Sequence, residues 1–287
     1  MNKIIVAGSL HYDVMLAAHH RPEKGETVIG SGCSYKFGGK GGNQAVAAAR
    51  AGVPVSFVGA VGDDAQGRFL IDALHEAGVD TQAVAVLPGV LSGMSVAISD
   101  AQGDYGAVVV SNANLHIEAA ALSAELWRDA GLLVLQNEVP ASVNLQLAQQ
   151  AKQRGIAVCI NAAPAREIEP QLATCVQLLI VNAVEARDMC QRVVTDLASA
   201  CEAAQTLALR FPQVIVTAGE HGLALCEQGQ SAFSIAAIPV KLVSTHGAGD
   251  CFVGVLSQSL LAGLSLADAA EKANQAAAEH VSRPLSS

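Results

Sequence analysis

The residues best suited to do chemistry lie in two glycine clusters, each set before a helical pattern. The first is Phe37-Gly38-Gly39-Lys40-Gly41-Gly42-Asn43-Gln44; the second is Thr245-His246-Gly247-Ala248-Gly249-Asp250. Small residues let a backbone approach a ligand and leave successive N–H groups free at a helix start, where the helix dipole adds positive potential. Such a cradle at Gly247, Ala248 and Gly249 suits an anion. Asp250 beside it has two readings. It caps the helix, for which Asp is favoured, or it is a general base that takes a hydroxyl proton while the N–H groups stabilise charge on a transferred group. Spacing alone leaves the two level. The chain has no G-x-G-x-x-G after its first strand and no G-x-x-x-x-G-K-[ST], which argues against a dinucleotide dehydrogenase and a P-loop enzyme.

These clusters must be held by a scaffold, and the hydrophobic pattern describes one. Apolar runs at 3–7, 55–61, 132–136, 156–161, 176–181 and 214–217 read as buried strands. Between them, residues 43–51, 63–77, 141–153 and 196–210 read as helices, the first two closed by Gly52 and Gly78. Fully apolar strands alternating with amphipathic helices predict an α/β fold, a doubly wound and mainly parallel sheet with helices on both faces. Residues 223–226 and 231–238 read as an edge hairpin. Helices at 251–262 and 266–281 finish the pattern, the second capped by the S-x-x-D of Ser265 and Asp268.

Residues 11–36 are polar, with only short alternating pieces such as 26–29, and are poor core material. They are expected to form a small β-sheet lid with the alternating segments 95–99 and 106–110, which the turn signal at 100–104 joins. The expected organisation is one domain over 1–287, with a lid of roughly 11–37 and 93–112.

Bulk properties narrow the function classes. Hydrophobic residues are 51% of the 287 and charged residues 15%, so the chain can build a large core. A net charge of -9 and 3% aromatics argue against nucleic-acid binding. Seven dispersed cysteines without C-x-x-C spacing predict reduced thiols, with neither a disulfide framework nor a zinc site. The N-terminal apolar run is too short for a signal peptide and no membrane-spanning stretch is present, so a cytoplasmic protein is expected.

Several further pieces occur in a fixed order. They are Gly8-Ser9 with Asp13; the first glycine cluster; Val61-Gly62-Asp63-Asp64 with Gly67; and Gly78-Val79-Asp80-Thr81. Glu138 follows, then Asn161 to Arg166, Asn182-Ala-Val-Glu185, Thr217-Ala-Gly219-Glu-His-Gly222 and Gly247-Ala-Gly-Asp250. In this order they resemble the ribokinase-like (PfkB) carbohydrate kinases over almost the whole chain. The resemblance implies ATP-dependent transfer of the γ-phosphoryl group to a primary sugar hydroxyl, first of all that of D-ribose. Another sugar or a nucleoside is the alternative acceptor, and a weakly active nucleotide- or sugar-binding member the alternative role. It implies Asp250 as catalytic base, with sugar contacts at His11, Asp13, Gly39, Lys40, Asn43 and Glu138. Nucleotide contacts fall at Asn182, Thr217, Gly219, Gly222, Gly249 and Asn274, and Glu185 places Mg²⁺ through water. A homodimer through the lid is implied as well.

The residue types agree, since carboxylates and amides are what read a polyol's hydroxyls. Singly, Asp13, Asn43 and Glu138 would read as a turn Asp, a helix N-cap and a strand-end Glu. Three departures from the family pattern bear on chemistry. His11 stands where ribose kinases usually carry Asn. Ser244 stands where an Asp usually helps hold a monovalent cation, with His246 near it, and the tail 282–287 lacks the usual glycine. Activation by K⁺ is therefore expected to be weak or absent.

Overall fold

The structure is a computed structural model and describes residues 2–102 and 105–283. Gly103 and Asp104 of the expected turn, and residues 284–287 of the tail, lie outside the described residues. Along the chain, β1 (Lys3–Ala7) is followed by β2 (His11–Ala17), β3 (Gly32–Gly38), α1 (Lys40–Arg50), β4 (Val55–Gly62), α2 (Ala65–Glu76) and β5 (Asp80–Leu87). Next come β6 (Met94–Ser99) and β7 (Tyr105–Val110), then β8 (Ala130–Gln136), α3 (Ala141–Gln153), β9 (Ala157–Asn161) and α4 (Pro170–Ala173). β10 (Leu178–Asn182), α5 (Ala183–Cys190), α6 (Leu197–Leu207), β11 (Gln213–Thr217), β12 (Gly222–Glu227) and β13 (Phe233–Ala236) lead to α7 (Ala248–Leu261) and α8 (Leu266–Ser282).

Nine strands form the main sheet in the order β13-β12-β11-β10-β9-β8-β1-β4-β5. All pairings are parallel except those of β12 with β11 and with β13, so the expected edge hairpin closes one side. Alternation along β1 splits the core in two. Ile4 and Val6 belong to the core on the face covered by α1, α2, α7 and α8, while Ile5 and Ala7 belong to the core on the face covered by α3 and α6. Leu70 and Leu74 show how a helix is fixed to the sheet: four apart on one face of α2, both are fully buried, each burial worth about 1.5–3 kcal/mol. Ser265 Oγ accepts from the Asp268 N–H, as the S-x-x-D spacing predicts.

A second sheet has the order β3-β2-β6-β7. β2 pairs antiparallel with β3 and parallel with β6, which sets Asp13 opposite Ser95. Residues 26–29 are not a strand, despite their alternation. Ile29 is 92% exposed, so no apolar face is buried to hold them in a ladder.

Candidate active site

Parallel sheets bind ligands beyond the carboxyl ends of their strands, at the point where the strand order reverses. Here the chain runs from β1 to β4 and β5 on one side and from β8 to β9, β10 and β11 on the other. The reversal lies between β1 and β8. Ser9 follows β1 and Glu138 follows β8, and they meet there: Glu138 Oε2 accepts from Ser9 Oγ at 2.5 Å and from the Lys40 N–H at 2.9 Å. One carboxylate thus ties both strand ends to the start of α1. That helix begins at Lys40, with Gly39 as its N-cap. Asn43, expected near the cap, sits inside the helix.

Asp250 occupies the first turn of α7. Its Oδ2 accepts from Asn43 Nδ2 at 3.2 Å and its Oδ1 from Gln44 Nε2 at 3.0 Å. Tight helix packing brings these groups together. One turn after Asp250, Gly254 lies so close to α1 that a Cβ there would sit 2.5 Å from the Ala47 Cβ. One turn after Asn43 and Gln44 come that same Ala47 and Ala48, so the small residues set the helix spacing at which the polar ones meet. Burial raises the Asp250 pKa above the ordinary carboxylate value, only partly opposed by Lys40 and by the Gln44 and Asn43 amides.

The cradle before Asp250 departs in detail from expectation. Gly247 is the N-cap and gives no side-chain bond, but the Ala248 N–H turns back to the Thr245 carbonyl at 3.3 Å. Gly249 and Asp250 keep first-turn N–H groups for which a helix has no internal acceptor. A Cβ on Gly249 would meet nothing within 4 Å, so the space above it is open to a ligand.

The second sheet contributes Asp13 and His11. Asp13 is buried, and its Oδ1 accepts from Ser95 Oγ at 2.6 Å. Burial raises its pKa, against the Ser95 bond and the nearby His11. His11 is 4% exposed, with Nδ1 4.0 Å from Glu138 Oε2 and Nε2 without a partner. A cavity of about 540 Å³ is lined by Asn43, His246, Gly247 and Asp250 together with residues of α8.

The residues expected at the nucleotide lie along the same sheet edge. Asn182 ends β10 and caps α5: its Oδ1 accepts from the N–H groups of Val184 and Glu185, while Glu185 accepts from the Asn182 N–H and Nδ2. Burial raises the Glu185 pKa, opposed by the Asn182 N–H and by Lys40, whose charge also acts on Asp250. Thr217 ends β11, Gly219 opens the turn to β12 and Gly222 begins that strand. Asn274 of α8 donates to the Ala236 carbonyl at 2.9 Å. Among the described residues no hydrogen bond joins this set to the Asp250 cluster. Ser244 Oγ accepts from the His246 N–H, and the His246 carbonyl accepts from His280 Nε2.

Sequence reasoning assigned no role to Ser9, Gln44, Ser95, Gln136 or Asn161. Gln136 did leave a signal, an amide ending the apolar run Leu132 to Leu135.

Against known proteins, the family model described as pfkB family carbohydrate kinase matches residues 1–287. The chain is 33% identical to the ribokinase of Bacillus subtilis over 279 residues, covering 96% of this chain and 92% of that protein. It is 32% identical to the ribokinase of Lactococcus lactis, covering 93% and 87%. A structure of Arabidopsis thaliana ribokinase complexed with ribose and ATP superposes with a TM-score of 0.91 at 29% identity, covering 98% of this chain and 93% of that one.

Proposed function

This chain belongs to the pfkB family of carbohydrate kinases and is a phosphotransferase with an alcohol acceptor, and from that premise we propose that it phosphorylates D-ribose with ATP to give D-ribose 5-phosphate. The observation that carries this reading is the buried carboxylate of Asp250, set beside the open first-turn N–H groups and facing the Asn43 amide. Ribokinases among the relatives, one of them solved with ribose and ATP, support the choice of substrate.

In this mechanism Asp13, His11, Gly39, Lys40, Asn43 and Glu138 hold the sugar hydroxyls. Asp250 takes the proton of the attacking hydroxyl as its oxygen bonds to the γ-phosphorus and the bond to the departing ADP oxygen breaks. Lys40 and the N–H groups at Gly249 and Asp250 offset charge on the phosphoryl oxygens. Asn182, Thr217, Gly219, Gly222 and Asn274 hold the nucleotide. Mg²⁺, when bound, supplies further charge neutralisation on the phosphates. Glu185 fits a water-mediated role in holding it: its two oxygens each accept one bond from Asn182 and keep lone pairs to spare. Among the described residues no three His, Cys, Asp or Glu gather into a metal site, which suits an ion carried mainly by phosphate and water.

A monovalent cation fits less well. Ser244 offers a neutral hydroxyl in place of a carboxylate, and its Oγ and the His246 carbonyl each already accept one hydrogen bond, from the His246 N–H and from His280 Nε2. A hard cation is costly to dehydrate without charged or well-placed oxygens. Compared in sodium, potassium and caesium salts at equal ionic strength, kcat/KM is expected to change little, and Ser244→Asp to create a preference for potassium. Strong potassium stimulation of the unaltered protein, unchanged in Ser244→Asp, would show that the cation has other ligands.

The protein is read as a cytoplasmic homodimer. All seven cysteines are free thiols, and no described helix is long and apolar enough to cross a membrane. The unpaired edge strand β7 exposes Val108, Val109 and Val110, an apolar strip that a second copy would cover. The substrate is tested by ADP release across a panel of pentoses, hexoses and nucleosides, with ribose expected to give the highest kcat/KM. Equal rates on unrelated hexoses, or a preference for nucleosides, would reject ribose.

A further inference from the structure

Behind Asp250 lies a run of buried amides that the mechanism above does not use. Gln44 is 1% exposed and Gln136 is not exposed at all. Gln44 Nε2 donates to Asp250 Oδ1 at 3.0 Å and to Asn161 Oδ1 at 3.1 Å, and Gln44 Oε1 accepts from Gln136 Nε2 at 2.8 Å. Asn161 Nδ2 in turn donates to the Ile180 carbonyl. We propose that Gln136 and Gln44 are positioning residues that lock the base, holding Oδ1 of Asp250 against a fixed N–H donor while Oδ2, on the Asn43 side, takes the proton. The proposal rests on the reading of Asp250 as base.

The direction of every bond follows from the carboxylate. An ionised carboxylate only accepts, so Gln44 must turn its NH₂ toward it. Both hydrogens of that NH₂ are used, on Asp250 and Asn161. Gln44 Oε1 then faces Gln136, which must donate. Turning Gln136 over would set oxygen against oxygen and release Gln44 to present its own carbonyl to Asp250. The orientation has a visible cost: Gln136 Oε1 is buried without a partner, and an unpaired buried acceptor calls for an explanation. It lies against Gly8, where a Cβ would fall 1.9 Å away. The chain thus runs from the ends of β1 and β8 to α7.

An N–H donated to the ionised form stabilises that form, and here it opposes the upward pull of burial on Asp250. Removing it makes the base easier to protonate, so the acid limb of kcat should move to higher pH. The charged and titratable groups that face Asp250 or line its cavity are Lys36 of β3, Lys40 and Arg50 of α1, Glu138 after β8, His246, Cys251 of α7, Glu279 and His280 of α8, and Arg283 after it. The variants below leave all nine in place.

The test uses the full chain with pH profiles of kcat for Gln136→Met and Gln44→Met, and thermal melting to check folding. Gln136→Met keeps much of the side chain's volume, adds no charge, and cannot donate to Gln44. Its acid limb should rise by about one pH unit, with turnover recovering above it. Gln44→Met removes the donor itself and should move the limb at least as far. If one variant fails to fold, the other still decides. A loss uniform across pH, or a wild-type profile, would overturn the proposal by showing a packing role only. Asp250→Asn, assayed beside them, separates the two ideas: activity in that variant removes the base reading, whereas its inactivity with unmoved limbs in the Gln variants removes only the positioning role.

Discussion

Asp250→Asn is expected to lower kcat by on the order of 10²–10⁴-fold, the usual worth of a general base, with nucleotide affinity little changed. The substitution keeps the shape of the side chain and removes the atom that takes the proton. It also creates a conflict that the structure makes explicit. Asp250 accepts from Asn43 on one oxygen and from Gln44 on the other. Asn has one acceptor, so its NH₂ must face one of those donors. A modest drop in melting temperature should accompany the loss, and calorimetric ADP titration checks that the nucleotide half is intact. The pH dependence has a definite sign. Burial raises the Asp250 pKa, and the base works only when ionised. Activity should therefore fall as pH drops through that raised value, above the ordinary Asp range near about 4. Near wild-type turnover in Asp250→Asn, with the acid limb preserved, would refute the assignment.

The second large effect is expected at Asp13. Asp13→Ala should weaken use of the sugar on the order of tenfold or more and leave ATP binding alone. A buried hydroxyl that loses its partner costs about 1–3 kcal/mol, and about 1.4 kcal/mol is a factor of ten. Asp13 also joins β2 to β6 through Ser95 Oγ at 2.6 Å, so its loss leaves the Ser95 hydroxyl unpaired and loosens the small sheet. Ser95→Ala separates the two contributions, since it removes the tie and keeps the carboxylate. It should cost less than Asp13→Ala in kcat/KM for ribose. Calorimetry showing ATP binding lost and sugar binding intact in Asp13→Ala would mean that the two halves of the site are assigned the wrong way round.

The scaffold was legible in the sequence because its signals are local. The strand interiors are continuous apolar runs and the helices carry 3.6-residue periodicity, so α3 and the S-x-x-D cap of α8 stand where the pattern puts them. The pieces that failed locally are those where tertiary contacts override propensity. Glycine is a poor helix former, by about 1 kcal/mol relative to Ala, and the stretch Lys40-Gly41-Gly42 reads as loop. It is nonetheless the first turn of α1, because Gly41 packs against the Gly8 backbone and Gly42 against Leu10 and Phe37. α5 is only eight residues long, and its start at Asn182 becomes visible through the capping box with Glu185. The residues proposed for the site could be named from the sequence where they belong to a motif, Asp250, Asn43 and Glu138 among them. Their contacts could not. Gln44 lies 206 positions from Asp250 and Glu138 lies 129 from Ser9, and no periodicity relates residues so far apart. Strand order places β8 beside β1, and the small residues Gly254, Ala47 and Ala48 let α7 approach α1. Sequence by itself determined which groups were available and which elements carry them. Tertiary packing decided that Asp250 is buried, which amides hold it and which oxygen faces the Asn43 side of the cavity, because those depend on the meeting of helices and strand ends distant in the chain.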